Sequence, residues 1–92
     1  MDPFDVEKKI TPHTKAIVVT HMRGVPAKLD QILDIAKRHG LKVVEDCCQI
    51  AGGQHKGKAV GSKSDAAAWS LNYFKTISTG EGGMAYTNDR DV

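Results

Sequence analysis

No apolar run in this 92-residue chain approaches the ~18–20 residues that a membrane-spanning helix needs. The N-terminus, Met1-Asp2-Pro3-Phe4-Asp5, has no basic start and no apolar core, so it does not read as a secretory leader. Cysteine is scarce. Cys47 and Cys48 are the only two, and their adjacency suits neither a disulfide framework nor a C-x-x-C zinc site. They read as two small residues packed after a strand, and a reducing, cytoplasmic setting is the expectation. Charge of one sign is missing too. Thirteen Lys and Arg are scattered among eleven Asp and Glu, for a net charge of +2. No basic block of the kind that tracks phosphates is present, which argues against a nucleic-acid partner. Internal repeats and low-complexity segments are absent.

What remains is ordinary globular composition, 40% hydrophobic and 26% charged. A chain this short forms at most one small domain and buries about 60–65% of its unfolded surface. Asp2-Pro3 can open a short helix running to about Ile10, and Thr11 to Thr14 is turn chemistry. Ala16 to Thr20 is a β-branched apolar run, expected as a strand covered on both faces. Leu29, Ile32, Leu33 and Ala36 recur at i, i+3, i+4 and i+7, with charged residues opposite, so a helix is expected there. Lys37, Arg38 and His39 suit its negative end, and Gly40 can take the left-handed stop. Leu41 to Glu45 reads as the next buried strand. The order strand, helix, strand makes a βαβ unit with parallel strands. Gly52, Gly53 and Gly57 break regular structure downstream. Ala66 to Leu71 and Met84 to Thr87 are two further strands, giving an α/β layered fold.

In open α/β sheets, ligands sit outside the carboxyl ends of the parallel strands. His21, Asp46 and Ser70 each fall at such an end, and Lys75 follows Ser70 closely. Taken singly, each has a structural explanation: a loop histidine, a turn acid, a satisfied core hydroxyl, a solvated surface lysine. Their common edge makes that edge the candidate site. Lys75 stands between Tyr73-Phe74 and the glycine-rich run Gly80-Glu81-Gly82-Gly83. Apolar rings deprive an ammonium of water and favour the nucleophilic amine, which can form a Schiff base. A lysine that takes an aldehyde and an aspartate that pairs with a pyridinium nitrogen are what pyridoxal 5'-phosphate (PLP) asks of a protein. Gly57 to Ser64 only faintly echoes a phosphate loop, because its lysine does not follow the second glycine. His39, His55 and the cysteines lack paired ligand spacing, so no metal is expected.

The segments "ITPHTKAIVVTHMRG", "KLDQILDIAKRHGLKVVEDCCQIAGGQHKGKAVGS" and "SDAAAWSLNYFKTISTGEGGMAYTND" together resemble the DegT/StrS-type PLP-dependent sugar aminotransferases. The match covers essentially the whole chain and joins several motifs at the family's spacing. It implies part of a fold-type I (aspartate aminotransferase-like) large domain over residues 1–92, a mostly parallel sheet flanked by helices. By that resemblance Lys75 is the Schiff-base lysine and Asp46 the acid at the ring nitrogen. Gln49 lies against the cofactor near its ring oxygen, Ser70 hydrogen-bonds its phosphate, and His21 helps shape the pocket. The implied reaction moves an amino group from glutamate or glutamine to a keto sugar, mostly nucleotide-linked in this family. The family's full-length members are homodimers by the same implication.

The resemblance also implies what lies outside this sequence. The family's phosphate-binding Gly-Thr loop and stacking aromatic come earlier, and its small domain comes later. The chain alone is therefore expected to bind PLP poorly and to be inactive. A different class of reading is a non-catalytic α/β module that associates with a full-length homologue. Dehydration, the chemistry of relatives with histidine in place of the lysine, is disfavoured by Lys75.

Overall fold

The computed structural model describes residues 1–91. Its first helix, α1, spans Pro3–Lys8, with the Asp2 side chain accepting from the Phe4 amide and Pro3 in the first turn. It stops before Ile10 because the chain tightens through the Lys9 and Ile10 amides onto Val6 and Glu7. Strand β1 covers Ala16–Thr20, helix α2 Leu29–His39 and strand β2 Lys42–Asp46. Gly40 closes α2 in the left-handed conformation, φ 63°. Two short strands, β3 (Gln54–His55) and β4 (Lys58–Ala59), form a hairpin over Lys56 and Gly57, both with positive φ. Strands β5 (Ala66–Ser70) and β6 (Gly83–Thr87) complete the chain.

The main sheet has the order β1-β2-β5-β6. The first three strands are mutually parallel, and β6 runs antiparallel to β5. In register, Ile17 meets Val43 and Val19 meets Glu45, so these four share a face. Leu29, Ile32, Ile35 and Ala36 of α2 pack there with Ile17, Val19 and Val43 to make the main core. Ile35 is a core residue outside the expected stripe, whereas Leu33 lies at the core's margin. A second cluster, Cys47, Ile50, Val60 and Ala67 with Trp69 against it, lies under the hairpin.

The opposite face corrects one expectation. Strand β1 is covered on one side only: Val18 is 57% exposed, while Val19 is fully buried. The apolar run looked doubly buried, but no described element packs over Val18, and Ala68 and Ala85 are exposed on the same face. Ion pairs lock the helical side. Glu7 of α1 pairs with Arg38 and His39 of α2. Asp30 gathers Lys56 at 2.6 Å, Lys63 at 3.2 Å and His55 at 3.3 Å, tying the hairpin to α2. That surround, Lys56 above all, holds the Asp30 carboxyl far below its usual range.

Candidate active site

At the carboxyl ends of β2 and β5 a cleft of about 600 Å³ opens, lined by Gln49, Trp69, Ser70, Phe74 and Lys75 among others. Two features of the chain create it. Strand β5 ends at Ser70, and the chain then loops out to Gly82, closed by the Leu71 amide on the Gly82 carbonyl at 2.9 Å and Thr79 on Leu71 at 2.9 Å. Within that loop, the Lys75 amide bonds the Asn72 carbonyl at 2.9 Å, and Lys75 lines the cleft. The far wall is the Cys47–Gly53 turn and the Ala59-Val60 stretch.

Lys75 is half-buried, with Nζ 4.8 Å from the centre of the Phe74 ring. Phe74 and Tyr73 themselves are 66% and 77% exposed. The apolar cage read from the sequence is thus one ring thick and open to water. Ser70 Oγ accepts from the Asn72 amide at 3.4 Å, which leaves the Ser70 hydroxyl hydrogen to donate elsewhere. Gln49 Oε1 accepts from the Arg23 amide at 3.2 Å, and its amide nitrogen has only a 3.8 Å contact with the Met22 sulfur. The Gln49 amide hydrogens are therefore available to a ligand.

Asp46, the last residue of β2, is not among the residues lining the cleft, but lies near enough for the Lys75 charge to act on it. Its carboxylate accepts from the Cys48 amide at 3.0 Å and from the Thr20 hydroxyl at 3.4 Å. The Cys48 thiol and amide, then the Thr20 hydroxyl and the Lys75 charge, hold this carboxyl below its ordinary value of 3.8 against partial burial. The same contact raises the Cys48 thiol. Thr20 was not singled out from the sequence. Its signal was register: it sits directly opposite Asp46 across the parallel pair, on the same face.

His21 does not join the cleft. It lies one residue past Thr20, so its side chain leaves on the opposite, helix-covered face. There it is fully buried, with Nε2 2.9 Å from Glu45 Oε2 and Nδ1 accepting from the Ala27 amide at 3.0 Å. Glu45, also fully buried, accepts in addition from the Gly61 amide at 2.8 Å and the Ser64 hydroxyl at 2.7 Å. Cys47 brings a third metal-ligating atom within 4.8 Å of these two. Burial pushes its thiol up to about 12, and both ring nitrogens of His21 are already engaged, so the trio reads as a packed polar network.

The α/β fold, with a mostly parallel sheet flanked by helices, is that of the PLP-dependent transferases of the aspartate aminotransferase type. The chain belongs, more narrowly, to the DegT/DnrJ/EryC1/StrS aminotransferase family, whose model matches residues 1–92. It is 45% identical over 92 residues to an L-glutamine:2-deoxy-scyllo-inosose aminotransferase of Streptoalloteichus tenebrarius, covering all of this chain and 22% of that protein. Against a GDP-perosamine synthase of Escherichia coli O157:H7 the identity is 47% over 92 residues, again the whole chain, and 25% of the relative. S. venezuelae DesV, solved in complex with a ketimine intermediate, superposes with TM-score 0.93 at 40% identity, over 99% of this chain and 25% of DesV. The E. coli GDP-4-keto-6-deoxy-D-mannose-3-dehydratase, solved with bound hydrated PLP, gives TM-score 0.87 at 29% identity, over 97% of this chain and 23% of that one. The chain thus spans about a quarter of the length of the relatives it matches.

Proposed function

We propose that this chain supplies the lysine-bearing part of the PLP site of a sugar aminotransferase. The enzyme would move an amino group from glutamate or glutamine to a keto sugar carried on a nucleotide. The observation that carries this reading is the meeting of Lys75, Ser70 and Gln49 in one cleft, with Asp46 close enough for the Lys75 charge to act on it. The donor set fits the cofactor: an amine for an aldehyde, a carboxylate kept ionised for a ring nitrogen, a hydroxyl with a free hydrogen for a phosphate oxygen. Bound there, PLP would supply an electron sink for the carbon that exchanges its amino group.

The residues' own work follows from their geometry. Lys75 Nζ would hold the aldehyde group of the cofactor, and as a free amine it would be the base at hand for the donor's α-proton. Asp46 acts by charge: each pKa unit it adds to a ring nitrogen is worth about 1.4 kcal/mol of preference for the protonated ring. Cys48 and Thr20 keep it in that state. Gln49 can donate its free amide hydrogens to a ring oxygen, and Ser70 its hydroxyl to phosphate. Because Tyr73, Phe74 and Ile77 are mostly exposed, the chain alone holds the cofactor weakly and excludes little water. Titration with PLP tests this. The expected result is a weak, saturable absorbance band that disappears in Lys75→Ala and shifts or weakens in Asp46→Ala. A band of equal strength in Lys75→Ala would sink the assignment.

The bare face around Val18 favours one second reading, a non-catalytic module that docks on a full-length homologue. Co-purification with a longer subunit, with no lysine-dependent band in the isolated chain or the complex, is its signature.

A further inference from the structure

The loop between β1 and α2 carries one of two non-glycine residues at positive φ among the described residues. Arg23 has φ 51° and Gly24 φ 77°, and the Val25 amide closes the turn on the Met22 carbonyl at 2.9 Å. A non-glycine residue in that region costs roughly 1 kcal/mol or more and persists only where its surroundings hold it. Two holds are present. On one side, Gln49 accepts the Arg23 amide through its side chain at 3.2 Å and the Gly24 amide through its carbonyl at 2.9 Å. On the other, His21 and the Ala27 amide, joined at 3.0 Å, pin the two ends of the loop together.

We infer that His21 is a positioning residue for Gln49, acting through the Met22–Pro26 loop from the buried side of the sheet. Nδ1 receives the Ala27 amide, so the ring carries its proton on Nε2 and donates it to Glu45. Glu45 is in turn fixed by Gly61 and Ser64, which leaves the ring no second orientation. A rigid imidazole therefore sets where the loop returns, the Arg23 amide sets where the Gln49 side chain stands in the cleft, and the Gly24 amide holds the Gln49 backbone carbonyl. The relevance to catalysis rests on the function proposed above, but the mechanical link does not.

Two substitutions separate the two bonds of the ring. His21→Asn keeps an acceptor where Nδ1 was and gives up Glu45. His21→Gln keeps a donor where Nε2 was and gives up the Ala27 amide. Amide hydrogen exchange, read without cofactor, is the direct assay. In His21→Gln, exchange at Arg23, Gly24 and Ala27 should quicken by roughly 10-fold, the loss of about one hydrogen bond, while Val44 in β2 is unchanged. His21→Asn should retain native protection at those three amides. In the unmutated chain, ring ¹⁵N shifts should show Nδ1 unprotonated at neutral pH, a check that needs no variant to fold. The lysine-dependent PLP band should weaken in His21→Gln and not in His21→Asn. Native protection of Arg23 and Gly24 in His21→Gln, equal exchange in the two variants, or a protonated Nδ1 would each overturn the inference. Failure of the band in the unmutated chain would instead count against the proposed function alone.

Discussion

Glu45 and Asp46 are adjacent carboxylates with different work, because successive side chains leave a strand on opposite faces. Asp46 shares the face of Thr20 and Val18, while Glu45 anchors the core side, where it accepts from three donors. Glu45→Ala would leave His21, Gly61 and Ser64 without their acceptor, at a cost of about 3–5 kcal/mol in urea unfolding. Glu45→Gln should cost far less, about 1 kcal/mol. Its oxygen can serve His21 and Gly61, and its amide can donate to Ser64, whose hydroxyl already has the Ala66 carbonyl within 3.0 Å. Lys75 and Asp46 could be picked out as candidates from the sequence, since an acid at a strand end and an amine soon after another carry recognisable chemistry. Glu45 could not: a charged residue at the end of an apolar run gives no sign of partners that arrive from Gly61 and Ser64. His21 was placed at the right edge, but one position out of phase with the cleft-facing residues.

Acid sensitivity belongs to this scale as well. The Asp46 and Asp65 carboxyls both sit below their ordinary 3.8, Asp46 through Cys48 first and Asp65 through Lys42 first. The unfolded chain therefore takes up protons before the folded one as pH falls. Their stabilisation is complete above pH 3.8 and is lost as pH drops through the lower folded values. Unfolding midpoints measured against pH should show that fall, and Asp46→Asn should flatten part of it. A slope unchanged in Asp46→Asn would mean the carboxyl is not held as described.

Among the elements, the turn at Gly61 combines positive φ with a close neighbour. Its φ is 83°, and a Cβ built there would lie 2.4 Å from the Trp69 ring. The same residue donates its amide to Glu45 and lets Trp69 form part of the cleft wall. Gly61→Ala should therefore lower stability by about 2–4 kcal/mol, strain and overpacking together, and disturb Trp69 fluorescence. Retained stability with native fluorescence would show the turn to be looser than drawn. The sequence marked this stretch only as a poor phosphate loop, because a glycine's meaning depends on a ring that arrives eight residues later. The helix α2 and the strands were legible because periodicity and caps act locally. Their ends moved by a residue or two, with Asp46 rather than Glu45 closing β2. The short β3–β4 hairpin went unread because glycines at Gly52, Gly53 and Gly57 mask two-residue strands.

At the scale of the whole molecule, the parallel core β1-β2-β5 brings the cleft residues to one edge, and the βαβ order alone was enough to foresee that. Burial was harder to foresee. The run Ala16 to Thr20 looks the same whether one face or both are covered, since apolar residues on a bare face leave no mark in composition. Val18, Ala68 and Ala85 stay uncovered here. The family match shows that the chain belongs to an aminotransferase family, while the span of about a quarter of each relative leaves site, donor, sugar and assembly as proposals. The central claim is that Lys75, among ten lysines, is the one placed for an aromatic aldehyde. Incubation with PLP, reduction with borohydride and peptide mapping put that claim to the most direct test. Label concentrated on Lys75, and reduced there in Asp46→Ala, is the result the geometry predicts. Label spread over the surface lysines in proportion to their exposure, and indifferent to Asp46, would contradict it.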